Sequence, residues 1–190
     1  MSNITSSIGG GVFGSSQKKK DAAWTPVVTE ETMLAAARSD TGGAMELTTP
    51  GTGCPQFGAW PTEKIVTIYD GGRINDSLSV MHRGEITKTA RECEIRPNGI
   101  TVKYGFAGRV LLGPKGKESV VTLPVSVYVM DKARNRLKNE TVKVQVQVSP
   151  ESPVGYFSVV RLIDIPLAPG TTAQDYRVFV AFDRNIPGAG

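Results

Sequence analysis

The sequence predicts an all-β protein built as an antiparallel β-sandwich, and three observations carry this prediction. Hydrophobic and polar residues alternate in short segments from Cys54 to Asp183, as in the run 141–148, and a period of two is typical of half-buried strands. The 21 glycines and 12 prolines suit a fold with many turns. The length of 190 residues leaves room for one domain and an appended segment.

Residues 1–53 are predicted to form a mobile N-terminal leader or tether. Residues 1–20 are rich in serine and glycine, so they bury too little apolar area to offset the entropy of ordering. One short helix is predicted near 29–38, because Thr29 caps a segment with two glutamates at its start and an arginine at its end. Residues 39–53 are predicted to be a linker.

Nine strands are predicted after the leader, at the spacing of an immunoglobulin-like sandwich. They lie near 56–60, 64–69, 78–82, 85–95, 99–112, 119–130, 141–149, 156–167 and 176–183. Asn98-Gly99 predicts a hairpin turn, and Gly105 and Gly108 predict a bulge or bend in the longest strand. Pro124 is expected at an edge or bulge. The domain is predicted to span 54–184, followed by a C-terminal tail, 185–190.

Basic residues of the sandwich form the candidate binding surface. The net charge of the chain is +4, and the predicted basic surface consists of Arg83, Lys88, Lys103, Lys115 and Lys117. These residues come from consecutive segments, so adjacent strand pairing would gather them on one face and attract an acidic partner. A solvated face without a partner is the alternative.

The sequence contains no recognisable catalytic constellation, and we predict that the protein is not an enzyme, with no catalytic, cofactor or metal site. His82 is the single histidine, and its neighbours Arg83 and Gly84 indicate a turn, so we expect it at the surface. One histidine and two distant cysteines are too few for a zinc site. A hydrolase with an unrecognised site stays an alternative. Cys54 and Cys93 fit either a disulfide or two reduced buried thiols.

A second alternative is a jelly-roll viral capsid subunit, in which a basic arm precedes the sandwich. Lys18–Lys20 would be that arm, but three lysines are few for neutralising nucleic acid, so nucleic acid is not the favoured partner. The sequence has no apolar run of transmembrane length and no signal peptide at Met1–Gly11. The chain is therefore either cytosolic or a mature form whose leader was removed.

Several motifs resemble a family of alphaproteobacterial cell-envelope lipoproteins of unknown function. They are Cys54-Pro55, Ile86 to Cys93, Gly105 to Val110, Gly113-Pro114, Val121 to Val125 and Val178 to Asp183. In that family the precursor carries a signal peptide and a lipidated first cysteine. This chain departs from that pattern at its start, where Met1-Ser2-Asn3 stands without a lipobox. If Met1 replaces the lipidated cysteine, residues 2–20 are the tether between lipid and sandwich.

The resemblance implies a place and a general role. It implies an exported protein that is anchored to the outer membrane, faces the periplasm and contains a Cys54–Cys93 disulfide. It implies no activity, so we expect a binding or structural role in the cell envelope. The expected partners are envelope protein, polymer or lipid headgroups, together with the membrane through the N-terminal lipid.

Overall fold

The structure, a computed structural model, describes residues 28–38, 45–48 and 53–190, and it confirms the predicted all-β sandwich. Besides three short 3-10 turns, these residues form one α-helix and nine strands: α1 (Glu30–Arg38), β1 (Met45–Thr48), β2 (Gln56–Ala59), β3 (Ile65–Tyr69), β4 (Val80–Arg96), β5 (Gly99–Leu112), β6 (Ser119–Met130), β7 (Arg136–Val148), β8 (Val154–Pro166) and β9 (Arg177–Phe182). The predicted helix is present, and it begins directly after Thr29, whose hydroxyl accepts from the backbone N–H of Thr32.

The strands form two sheets. The first has the order β1-β4-β5-β8, with β3 also paired to β4, and the second has the order β2-β9-β6-β7. The pairs β1–β4 and β2–β9 are parallel, and the other ladders between described strands are antiparallel.

The connectivity is immunoglobulin-like. Strands β4, β5 and β8 occupy the positions of strands A, B and E, and β6, β7 and β9 occupy those of C, C′ and F. The place beside F, where strand G usually closes the sheet, holds β2 instead. Strand β2 comes from the N-terminal side of the chain and runs parallel to β9, whereas a strand joined to β9 by a hairpin would run antiparallel.

Three strands differ clearly from the prediction. Strand β7 begins at Arg136, five residues before the predicted strand 141–149. Strand β4 is continuous from Val80 to Arg96, whereas the sequence suggested two strands with a turn near Gly84. Gly84 is there for packing, since a Cβ atom would lie 2.6 Å from the Leu123 side chain across the core. Strand β1 lies inside the predicted linker, and its four residues are too short a run to show an alternating pattern.

The irregularity predicted at Gly108 belongs to the neighbouring strand. The β4–β5 register shifts between Ile86 and Lys88, where Ile86 pairs with Gly108. A Cβ atom at Gly108 would lie 1.9 Å from the Glu85 carbonyl oxygen, so only glycine fits beside this bulge. Gly105 serves a different purpose, because a Cβ there would lie 2.8 Å from Val28 beside helix α1.

The main core lies between the two sheets. Its inward side chains come from both, with alternating valines of β6 and β7 facing β4, β5 and β8. Phe57 of β2 is fully buried, and its ring lies 5.5 Å from that of Tyr104 in β5. Strand β2 therefore contributes to the core and does not merely cap an edge.

Helix α1 packs on the outer face of the first sheet. A second cluster joins Met33 and Ala37 of the helix region to Ala90 and Ala107 of the sheet, and the Val28 backbone N–H donates to Glu92 Oε1 at 2.6 Å.

The predicted domain boundaries at 53 and 184 stay predictions. The mobility predicted for the leader concerns mainly residues 1–27, which lie outside the described residues.

The predicted C-terminal tail contacts the first sheet. The Gly190 backbone N–H donates to the Thr67 carbonyl at 2.9 Å, and Ala189 forms an antiparallel bridge with Ile68. The end of the chain thus lies along β3, on the side away from β4.

Candidate functional site

A Cys54–Cys93 disulfide joins the two sheets near one end of the sandwich. Cys54 lies two residues before β2 of the second sheet, and Cys93 lies within β4 of the first. Their Cα atoms are 5.8 Å apart and the bridge spans 39 positions of sequence. The disulfide implied by the family resemblance is therefore present.

The predicted basic surface is interrupted by acidic residues. Arg83 Nε donates to Glu85 Oε1 at 3.0 Å, and Lys103 Nζ donates to Glu92 Oε2 at 3.4 Å. Arg109 donates to the same Glu85 side chain. Since each cation has an acidic neighbour, the outer face of β4 and β5 presents a mixed pattern of charge.

Lys115 and Lys117 are exposed, but they lie apart from Lys103. Both belong to the β5–β6 connection, where the Lys115 backbone N–H donates to the Val80 carbonyl at the start of β4. Lys103 pairs with Glu92 near the other end of that strand. The structure therefore brings Lys115 and Lys117 together and separates them from Lys103.

The expected exposure of Lys88 is wrong. Its side chain is only 2% exposed. Lys88 follows the bulge in β4 and pairs with Ala107, which lies under helix α1. Partners in a ladder share a face of the sheet, so Lys88 points to the face that the helix covers and cannot belong to an open binding surface.

The expected surface position of His82 is also wrong. His82 lies inside β4 and is 7% exposed, and its Nε2 atom lies 3.2 Å from the Ser119 hydroxyl. Burial lowers the pKa of the imidazole below its ordinary value, and a hydrogen bond with the Lys117 backbone partly opposes this effect. The ring is therefore neutral at pH 7.

Because the pKa of His82 is lowered on folding, we expect stability to fall as pH drops through the unfolded-state pKa of about 6.5. Below that pH the unfolded chain binds a proton that the folded protein resists. Urea unfolding at pH 7.5 and 5.5 would measure the loss. His82→Gln should lose less stability over the same interval, and equal losses in the two proteins would contradict the assignment.

Three aromatic side chains form a cluster on the outer face of the second sheet. The Trp60 ring centroid lies 5.0 Å from that of Phe179 in an edge-to-face arrangement. The Tyr128 and Phe179 centroids are 5.6 Å apart, and the Arg136 guanidinium lies 4.3 Å from the Tyr128 centroid. Such cation–π stacking leaves the guanidinium edge open to further hydrogen bonds.

A cleft of about 500 Å³ opens beside this aromatic cluster. We call it the basic cleft, and the residues that define it are Trp60, Lys132, Arg134, Asp175, Arg177 and Phe179. It lies where the β6–β7 hairpin loop meets the β8–β9 connection. Its three cations outnumber its acids, and the aromatic rings supply an apolar wall.

A second cleft of about 620 Å³ adjoins the first. We call it the apolar cleft, because its lining includes Leu137, Pro166, Leu167, Ala168 and Tyr176. Asp131, Lys132 and Asp175 line both clefts, so the two share a border. Both lie at the end of the sandwich where β8 finishes beside Gly99, opposite the end that holds Lys115 and Lys117.

The loops around both clefts are held by hydrogen bonds within each loop. Asp131 accepts from the Asn135 backbone and side-chain nitrogens at 2.8 and 2.9 Å, and these bonds lower the pKa of its carboxyl. The buried Tyr176 hydroxyl accepts from the Ala168 N–H at 3.0 Å and lies 2.9 Å from the Thr171 hydroxyl. The cleft walls are therefore shaped before any ligand arrives.

Arg134 occupies a backbone conformation that favours glycine. Its φ is 67°, while its N–H closes a turn onto the Asp131 carbonyl at 3.0 Å. A left-handed conformation costs a non-glycine residue about 1 kcal/mol or more. Arginine at this place puts a cation into the basic cleft at the expense of backbone strain.

These cleft residues were not predicted as a site. Lys132 and Arg134 lie in the connection between the predicted strands 119–130 and 141–149, and Arg177 was expected only as part of the strand 176–183. The cleft draws Trp60, Arg134 and Arg177 from distant parts of the chain, so their meeting depends on the sheet order. The one signal along the chain itself is Arg134, a basic residue at a turn position where Gly or Asn is usual.

Comparison of the chain with protein-family models found no match. Comparison with curated proteins found none either, and no solved structure matched. None of the helices in the described parts of the chain has the length and apolar content needed to cross a membrane. The site is therefore interpreted from its own geometry.

Proposed function

We propose that this protein is a non-catalytic binding module of the bacterial cell envelope, anchored to the outer membrane by an N-terminal lipid and facing the periplasm. The Cys54–Cys93 disulfide supports this location, because disulfides persist in oxidising compartments such as the periplasm. The resemblance to envelope lipoproteins points the same way. The partner would be an envelope protein, polymer or lipid headgroup.

We propose that the basic cleft holds an anionic group of that partner. The observation that carries this proposal is Arg134, a cation kept at a strained backbone position inside a cleft. Strained residues concentrate at functional sites. Arg134 and Arg177 offer the planar donors that suit phosphate or carboxylate, and Trp60 adds an apolar contact.

Lys115 and Lys117 remain the second place where an acidic partner could bind, so one experiment compares the two. Ethyl phosphate, titrated into uniformly ¹⁵N-labelled protein, should shift the amide signals of the 131–135 loop and of Arg177. Arg134→Glu/Arg177→Glu should abolish these shifts. Lys115→Glu/Lys117→Glu is the matched control and should retain them. The reverse pattern would move the site to the β5–β6 loop.

Arg134 has a strained backbone and also supplies a cation to the basic cleft. Its replacement by glycine should therefore raise stability and weaken anion binding. Arg134→Gly should raise the free energy of unfolding by about 1 kcal/mol, because glycine accepts the left-handed conformation without strain. The same change should weaken ethyl phosphate binding, since it removes a cation. Urea unfolding and the amide titration measure the two effects. A variant that loses stability and binds normally would contradict the proposed role.

The capsid alternative has less support. The sandwich has immunoglobulin-like connectivity, whereas a jelly roll is built from two Greek keys. Lys18–Lys20, the proposed basic arm, lie outside the described residues. Co-purifying nucleic acid and large particles on a sizing column would favour the capsid reading over the envelope module.

A further inference from the structure

The two clefts offer different chemistry on either side of one ion pair. Lys132 Nζ lies 3.8 Å from Asp175 Oδ1 at the border that both clefts share. On one side Arg134 and Arg177 supply positive charge beside an aromatic wall. On the other side, the walls are mostly aliphatic, with Leu137 48% exposed. An exposed leucine beside a preformed cleft is a contact surface for an apolar group.

The ion pair is built so that one partner is fixed and the other is free to move. Asp175 Oδ2 accepts from the Thr172 N–H at 2.9 Å and the Thr172 hydroxyl at 3.1 Å, which fixes its carboxylate. The Lys132 side chain is 86% exposed. Exposed pairs of this kind contribute little to stability, so an incoming anion could draw Lys132 away from Asp175 at small cost.

We infer that the basic and apolar clefts together form one site for a single molecule of an anionic amphiphile. Such a molecule has a phosphate or carboxylate head and one hydrocarbon chain. The head lies between Arg134 and Arg177, where Lys132 joins it. The chain crosses the border and lies against Leu137 and Ala168. This inference rests on the proposed function, since it names the ligand class of the same basic cleft.

Shape favours a small amphiphile over a purely ionic ligand. The basic cleft alone holds about 500 Å³, and the adjoining apolar cleft adds about 620 Å³. A hydrophilic anion would leave the second volume in water, whereas a hydrocarbon chain gains free energy by leaving water there. The loop hydrogen bonds of Tyr176 keep the apolar cleft open before binding.

The test compares ethyl phosphate with octyl phosphate, used below its critical micelle concentration, in amide titrations of the full chain. Octyl phosphate should bind at least about tenfold tighter, because several methylene groups leave water. Leu137→Asn and Ala168→Asn, which add no charge beside the basic cleft, should remove this gain and leave ethyl phosphate binding unchanged. Both residues are exposed, so neither substitution should disturb the fold. Two separate variants are used so that the test still stands if one of them fails to fold.

Leu162→Asn is the matched control, since Leu162 is 63% exposed on the outer face of the first sheet. It should keep the full gain from the octyl chain. Equal affinities for the two phosphates, within about twofold, would overturn the amphiphile site and leave the proposed anion site standing. If neither phosphate shifts the cleft amides, both proposals fall. Loss of the gain in Leu162→Asn as well would also overturn the assignment to the apolar cleft.

Discussion

Removal of the disulfide in a Cys54→Ser/Cys93→Ser variant should destabilise the protein by about 4 kcal/mol, the value that chain entropy gives for a loop of 39 positions. For a domain of this size, that loss lowers the thermal midpoint by roughly 8–16 °C. The bridge ties the entrance of β2 to β4, so reduction frees the strand that closes the second sheet. Circular dichroism during heating measures the midpoint.

Dithiothreitol provides the control for this variant. Reduced wild-type protein should melt near the temperature of the double-serine variant, while adding the reductant to that variant should change nothing. Alkylation without reduction should label neither cysteine of the native protein. A double-serine variant that melts within about 2 °C of the oxidised wild type would contradict the expected contribution of the bridge.

Gly108→Ala should be among the most destabilising substitutions in the chain, with a loss of about 3 kcal/mol or more. The added methyl group would lie 1.9 Å from the Glu85 carbonyl oxygen and 2.6 Å from the Phe157 ring. Neither neighbour can move easily, since one is strand backbone and the other is buried in the core. The bulge and the first sheet would have to shift. Urea unfolding measures the change.

Gly58→Ala is the matched control, because Gly58 also lies in a strand but nothing would lie within 4 Å of its added methyl group. This substitution should leave stability unchanged or raise it by about 0.5–1 kcal/mol, since alanine restricts the unfolded chain. If both alanine variants melt alike, close approach at Gly108 is not the reason for that glycine.

The sequence pattern predicted the main strands well, because their period of two is a local property. The predicted ranges 99–112 and 119–130 coincide with β5 and β6. The expectation of an edge or bulge is wrong for Pro124. It lies in an interior strand, but it faces the side where β9 has already ended, and its carbonyl accepts from the Asp183 N–H. No ladder hydrogen bond needs the missing proline N–H.

Features that depend on distant parts of the chain could not be predicted. Gly84 and Gly105 looked like turn or bulge residues, yet each makes room for a side chain that is remote in sequence, Leu123 and Val28 respectively. The burial of Lys88 follows from the helix that covers its face. A single sequence contains no direct information about such packing.

The candidate site proposed from the structure lies at a different place from the basic surface predicted from the sequence. That prediction rested on basic residues in consecutive segments, which adjacent strand pairing was expected to gather on one face. On these adjacent strands, however, acidic side chains lie beside the basic residues and neutralise their charge, as Glu85 does for Arg83 and Arg109. The cations of the basic cleft come instead from one loop, which holds Lys132 and Arg134, and from Arg177 at the start of β9, and only the sheet order brings these segments together.

The position of β2 sets an order for folding. Phe57 must pack beside Val178, its ladder partner, so the second sheet cannot be completed until almost the whole chain is available. Contacts between such distant segments form late because closing the loop costs entropy. Cys54 and Cys93 lie much closer in sequence. The disulfide between them can therefore form before β9 is available to pair. It would hold β2 close to the place that it occupies beside β9, so oxidation of the two cysteines would help to select the final strand order.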